Sequence, residues 1–308
     1  LGGLAVATAW RFSLLCGPAH PMVGRYRLPT HPGFPDHMNR LSLATWNINS
    51  VRLRIDRVIA FLMREKADVL CLQEIKCLED QFPRKAFEAA GYRHIHLSGQ
   101  KGMHGVAIVS RLPIEALETP GLCRHGHARC AAVKIAGFEV QNLYVPAGAD
   151  IPDPEINEKF AHKLDFVERM REVYAARAAK RSAMPLLVAG DINIAPEEND
   201  VWSHRQLLGV VSHTPVETDG LKRVLAEGKF TDIARAKHRP DEKLYTWWSY
   251  RAADWKVSNR GRRLDHWWAD KRAAPLVDIA SYKIHTDERG GEKPSDHVPV
   301  TVTVTAAA

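Results

Sequence analysis

The segment LSLATWNINS, Leu41–Ser50, alternates apolar and polar residues as far as Trp46 and then turns polar at Asn47. Alternation predicts a strand with one face on a core, and a strand ending in Asn47-Ile48-Asn49 delivers amide groups beyond its last residue. The arrangement recurs downstream. Val69–Leu72 is a short apolar run that stops at Gln73-Glu74, and Leu186–Ala189 is another that stops at Gly190-Asp191. Further strands are expected near 94–97, 105–110, 131–135, 138–144, 244–250, 263–268, 276–282 and 298–305. Ile55, Ile59, Leu62 and Met63 recur at helical spacing, which predicts a helix through about Lys66. A second helix is expected over Gln81–Ala90, closed by Gly91. The longest should cover Pro154–Arg181, with Phe160, Leu164, Val167 and Tyr174 on one face. Residues 194–216 read as a loop containing Trp202.

The polar strand ends form a series: Asn47, Glu74, Tyr144, Asp191 with Asn193, Asp265, and Asp296 with His297. Each alone reads as a surface polar group. Packed sheets, however, bring such ends to one rim, and the shared placement makes the series a candidate site.

Composition narrows the function classes. The 308 residues are 45% hydrophobic and 26% charged, and no apolar run is long enough to span a membrane. The net charge of +7 favours a polyanionic partner. Five cysteines (Cys16, Cys71, Cys77, Cys123, Cys130) form no CxxC pair and read as free thiols of a reducing compartment. Cys123, His125, His127 and Cys130 lie within eight residues, but their spacing matches no zinc-finger pattern, so a loop leading into the 131–135 strand is expected. Residues 1–37 carry three arginines against a single acid, Asp36, and lack the ordered regions of a secretory signal. They read as a disordered extension preceding a single domain, 38–308, with organellar targeting the lesser alternative. A cytoplasmic location is expected.

Six motifs carry a resemblance: TWNINS (Thr45–Ser50), LCLQEIK (Leu70–Lys76), NLYVPAG (Asn142–Gly148), GDINIAP (Gly190–Pro196), RRLDH (Arg262–His266) and KPSDHVPV (Lys293–Val300). In this order they resemble the exonuclease III branch of the apurinic/apyrimidinic endonuclease family, within the endonuclease/exonuclease/phosphatase superfamily. The resemblance runs from Met38 to Thr305. It implies an α/β fold: a four-layer sandwich of two packed mixed β-sheets flanked by helices, DNase I-like. It also implies a bacterial DNA-repair phosphodiesterase acting at abasic sites and at 3′ nucleotides or 3′ blocks, leaving a 3′-hydroxyl.

Such hydrolysis needs a hard cation, a positioned water and charge stabilisation on the phosphate oxygens. By resemblance, Glu74 is the principal ligand of Mg²⁺, for which Mn²⁺ could substitute. Asn47, Asp191, Asn193, Asp296 and His297 complete the metal set. Asp191 is the candidate base, Asn193 a phosphate contact, His297 a phosphate-facing imidazole oriented by Asp265, and Tyr144 a donor or phenolate at the phosphate. Asn49, Arg129 and Trp247 are candidate substrate contacts, Trp247 as the wall of a lesion pocket. Arg52, Arg54, Lys76, Lys101 and Arg129 could follow a DNA backbone. The expected partner is double-stranded DNA, bound by a monomer without membrane attachment.

Departures are few. Ser50 stands where the family motif commonly has glycine, His266-Trp267-Trp268 replaces aliphatics, and residues 199–240 match poorly. The rival readings are another phosphoesterase of the superfamily and an inactive DNA-binding member. Tyr144, where the DNase I-like branch commonly has histidine, argues against the former, and the complete polar set argues against the latter.

Overall fold

The computed structural model describes residues 40–181, 183–252 and 254–307. The reading of residues 1–37 as an extension, and Cys16 with it, lies outside them. Along the chain come β1 (Arg40–Asn47), β2 (Val69–Gln73), β3 (His94–Ser98), β4 (Val106–Ser110), β5 (Glu115–Leu117), β6 (Cys130–Ile135), β7 (Phe138–Tyr144) and β8 (Leu186–Asp191). They are followed by β9 (Phe230–Asp232), β10 (Trp247–Trp248), β11 (Gly261–Arg262), β12 (Asp265–Asp270), β13 (Val277–Ile284) and β14 (Val300–Thr305). One six-stranded sheet has the order β13-β14-β1-β2-β4-β3, the other β5-β6-β7-β8-β12-β9, and β10-β11 form a short ribbon.

A single parallel pair sits at the centre of each sheet, β1 with β2 and β7 with β8, and antiparallel strands flank it. Parallel neighbours require a crossover. The helix Ile55–Glu65 supplies one and the helix Glu158–Ala179 the other. Covered on both faces, β2 and β8 are apolar runs rather than alternations, and every residue of each is buried.

Side-chain alternation distributes these strands among three cores. Leu43, Cys71, Ile108, Val140, Leu187 and Trp267 meet between the sheets. Ala44, Trp46, Leu70 and Leu72 face the other way, against Phe61 and Leu62 of the first crossover helix. Leu143, Leu186, Val188 and Trp268 pack against Phe166, Met170 and Tyr174 of the long helix. This is the expected four-layer sandwich.

Two polar devices tie the sheets in register. Trp267 Nε1 donates to the Val300 carbonyl at 3.1 Å. Buried Asn142 on β7 donates to the carbonyls of Leu72 and Ala107, both at 2.9 Å, and accepts from Gln73 Nε2 at 2.6 Å. A buried amide is tolerated only when so satisfied, and this one lies two residues before Tyr144.

Several boundaries differ from expectation. The strand expected over 244–250 is ordered as β only at Trp247–Trp248. The long helix starts at Glu158, where Asn157 caps it through Lys159 N and Phe160 N. The helix Pro215–Gly228, absent from the sequence reading, begins with Thr214 and Glu217 as a capping box and Pro215 in its first turn. That signal is present in the sequence. No described helix is long and apolar enough to cross a membrane, and the four described cysteines are free.

Candidate active site

The four C-terminal ends of the two parallel pairs carry Asn47, Glu74, Tyr144 and Asp191. Asn47 Nδ2 donates to Glu74 Oε1 and to Asp191 Oδ2, both at 2.9 Å, so one buried amide bridges the two sheets. Tyr144 OH donates to Glu74 Oε1 at 2.9 Å, and Lys76 Nζ stands 2.7 Å from Glu74 Oε2. Burial works against charge on Glu74, yet Lys76 and the Asn47 amide outweigh it and hold the carboxyl below its usual range. Burial, with Glu74 and Asp191 beside it, pushes the Tyr144 phenol well above its usual value. The phenolate alternative is therefore disfavoured, and Tyr144 is a neutral donor.

The turns after β1, β2 and β8 are strained. Asn49, Ser50, Glu74, Lys76 and Asn193 all have positive φ, at 46°, 87°, 50°, 52° and 56°. Non-glycine residues in this region cost about 1 kcal/mol or more each. The value at Ser50 explains why glycine suits that position. Gly190 is obligatory: a Cβ there would lie 1.9 Å from the Leu143 carbonyl oxygen. That close approach of β8 to β7 sets Asp191 opposite Tyr144 in the ladder.

Asp191 accepts from Asn193 N and Asn193 Nδ2, both at 3.0 Å. Burial raises it to about 7, together with the nearby carboxylates and despite His297 and Asn47. His297 Nδ1 lies 2.8 Å from Asp265 Oδ2 and its Nε2 3.7 Å from Asp191 Oδ2. Burial lowers the imidazole, but Asp265 and Asp191 outweigh it and raise His297 to about 10. It is thus an imidazolium at neutral pH. Thr246, which the sequence reading did not single out, is fully buried and donates to Asp265 Oδ2 at 2.6 Å. Its own oxygen accepts from the Leu264 and Asp265 amides, both at 3.0 Å.

Asp265, Asp296 and His297 stand at the starts of antiparallel strands rather than at strand ends, which returns them to the same rim. Asp296 accepts from Asn49 Nδ2 at 3.1 Å and Trp247 Nε1 at 3.0 Å, so Asn49 and Trp247 join the cluster. Two arginines behave differently from a backbone-tracking role. Arg54 is buried and donates to the carbonyls of Ile48, Lys293 and Pro294. Arg129 is buried too, donating to the Tyr144 carbonyl at 3.1 Å with its guanidinium over the Tyr144 ring. His266 faces the core, not a pocket: it bonds Ile194 O at 2.9 Å and Arg263 NH1 at 3.1 Å.

Lys163 is another residue missed in the sequence, because it occupies the otherwise apolar face of the long helix. Its fully buried ammonium pairs with Glu217 and donates to the Asn193 and Ala147 carbonyls at 2.8 and 3.2 Å.

Two arrangements bear on a metal. Among the described residues, donor atoms of Asp191, Asp265 and His297 lie within 4.8 Å of one another, close enough for an ion. A protonated His297, though, offers N–H rather than a lone pair. The opposite side of the rim is richer in oxygen. Lys76 Nζ lies 2.7 Å from Glu74 Oε2 and 2.6 Å from Asn49 Oδ1, so these oxygens already converge on a positive charge. Among the described residues, Glu74 is paired with Lys76, Asp191 and Asp265 share His297, and Asp296 accepts from Asn49 and Trp247 without an ion pair. A hard divalent cation fits that imbalance and that donor set.

Two sheets that close on one rim of carboxylates, amides and an imidazole define an α/β-sandwich hydrolase. The chain belongs to the Endonuclease/Exonuclease/phosphatase family, whose model matches residues 44–297. It is 28% identical over 275 residues to exodeoxyribonuclease III of Haemophilus influenzae, covering 84% of this chain and 98% of that protein. Among solved structures it is similar to an AP endonuclease from Archaeoglobus fulgidus, with 34% identity, a TM-score of 0.78, and coverage of 87% of this chain and 100% of that one. It is also similar to the 3′ phosphatase NExo from Neisseria bound to product DNA hairpin, at 30% identity and TM-score 0.76, covering 85% and 98% of the two chains.

Proposed function

We propose that the chain is a Mg²⁺-dependent DNA-repair phosphodiesterase. As a monomer on double-stranded DNA it would cleave the backbone at abasic sites and remove 3′ nucleotides or 3′ blocking groups, leaving a 3′-hydroxyl. The observation that carries this reading is the continuous polar chain Tyr144–Glu74–Asn47–Asp191–Asn193 beside the His297–Asp265 pair. Glu74, with Asn47, Asn49 and Asp296, would hold the cation, which when bound supplies Lewis-acid stabilisation of the phosphate oxygens.

The chain's own residues carry the proton work. Asp191, raised to about 7, is a carboxylate basic enough to take a proton from the attacking water. Asn47 and Asn193 fix its orientation through 2.9 and 3.0 Å bonds. The His297 imidazolium and the neutral Tyr144 hydroxyl present donors toward charge that develops on the phosphate. Asp265, itself held by Thr246, orients the imidazole. Asn49 and Trp247 would contact substrate at the edge of this group, and buried Arg129 would support Tyr144 from behind rather than meet substrate.

A nicking assay on abasic duplex tests the reading. Activity should vanish with a chelator, return with Mg²⁺ or Mn²⁺, and fall about 100-fold or more in Glu74→Gln. A folded, fully active Glu74→Gln chain would remove Glu74 from the metal role.

A further inference from the structure

A second cluster of ligating side chains lies outside the site just described. The turn Cys123–Gly126, closed by Gly126 N to Cys123 O at 3.1 Å, presents Cys123 and His125 to the start of the long helix. There Glu158 and His162, four residues apart, share a helix face. Cys123 Sγ lies 3.3 Å from His162 Nε2, and His125 Nε2 lies 3.0 Å from Glu158 Oε1. The rings of His125 and His162 join the two pairs, with centroids 4.3 Å apart. His127 packs beside them at 5.4 and 5.9 Å, and its buried Nδ1 has no hydrogen-bond partner among the described residues.

We propose that Cys123, His125, Glu158 and His162 form a second metal site, for a borderline-soft divalent cation such as Zn²⁺. Sulfur at about 2.3 Å and nitrogen at about 2.0 Å from a tetrahedral ion stand roughly 3.5 Å apart, close to the Cys123–His162 separation. Thiolate and carboxylate neutralise a dication, and thiolate with imidazole selects against Mg²⁺. Four imidazoles and two arginines share this corner (His104, His125, His127, His162, Arg124 and Arg129), and Arg124 meets Glu158 Oε1 at 2.7 Å, a pair that a bound ion would displace. The two pairs need side-chain rotation to converge on one point, and His125 and Glu158 are exposed enough to supply it. A cavity of about 380 Å³ adjoins the cluster and is lined by Cys123 and His127, while the other three ligands lie outside it. Linear spacing hid the site, since half its ligands come from a helix more than thirty residues further on.

Cobalt(II) titration of the full, metal-stripped chain tests this. One equivalent should produce a thiolate-to-cobalt charge-transfer band, which an oxygen-lined centre does not give. Cys123→Ser should abolish the band while Mg²⁺-supported nicking continues. His125→Ala, on an exposed turn, should weaken cobalt binding by more than the about tenfold that loss of a supporting outer group brings. Absence of the band, or its survival in Cys123→Ser, would overturn the site.

Discussion

At the residue scale, the site depends on pairs that fix one another's charge. His297 is protonated because Asp265 and Asp191 flank it, and Asp191 stays poised near neutrality because it is buried among carboxylates. If Asp265 acts by orienting His297, their effects are not independent. Asp265→Asn combined with His297→Asn should cost about as much kcat as the worse single variant. Additive losses would separate the two roles. His266 makes the opposite case, a buried imidazole kept neutral. Burial and Arg263 lower it to about 4 from 6.5, with its Nδ1 facing the Arg263 guanidinium. The unfolded chain takes up that proton first as pH falls. The stability is therefore complete above about 6.5 and is lost as pH drops towards 4, by about 3 kcal/mol for this group. His266→Gln, able to bond both neighbours, should show a shallower acid limb in urea melts between those pH values, and parallel limbs would refute it.

The residues that a sequence makes legible are those at strand ends, because periodicity stops where chemistry starts. Asn47, Glu74 and Asp191 are legible that way. Thr246, Lys163 and Asn142 are not. Each is a buried polar group whose meaning comes from a partner distant in sequence, and a lysine on an apolar helix face looks like a break in pattern until Glu217 is seen beside it.

At the scale of elements, the apolar strands are legible in the sequence, whereas the region 199–240, which matches the family motifs poorly, holds a helix that the reading does not anticipate. Its helix Pro215–Gly228 buries Leu221 and Val224 alongside Glu217, Thr218 and two glycines, so its apolar face is weak and its capping box is the better signal. The aromatic strand is short, β10 alone, and there Trp247 pairs with Arg262 on one side and His297 on the other. Trp247 is thereby held at the rim, its ring under the Arg262 guanidinium at 5.3 Å and its N–H on Asp296. Trp247→Phe keeps a ring and loses the donor, whereas Trp247→Ala loses both. A pocket wall predicts that only the alanine variant lowers the abasic-to-intact kcat/KM ratio. Equal ratios in both, with a lower Tm for alanine, would reduce Trp247 to packing.

For the whole molecule, the two sheets repeat one plan: a parallel pair joined by a crossover helix, with antiparallel strands outside. The sequence showed no repeat, since the two halves share topology without shared residues. The polar rim sits where the two parallel pairs end, and every named site residue lies beyond position 46. Removal of residues 1–37 should therefore leave both the nicking rate and Tm unchanged. A fall in Tm of several degrees would show that the segment stabilises the fold.

The first sheet draws its strands from both ends of the described chain: β14 lies against β1, with Thr305 opposite Arg40. During synthesis β1 emerges well before its neighbour β14 and His297, which follow only after some 250 further residues have left the ribosome. A chain that has not yet reached β14 thus holds an open sheet edge, the kind that invites unwanted pairing. The residues that close that edge and the imidazole proposed for the site therefore arrive together, at the last stage of the sheet's assembly.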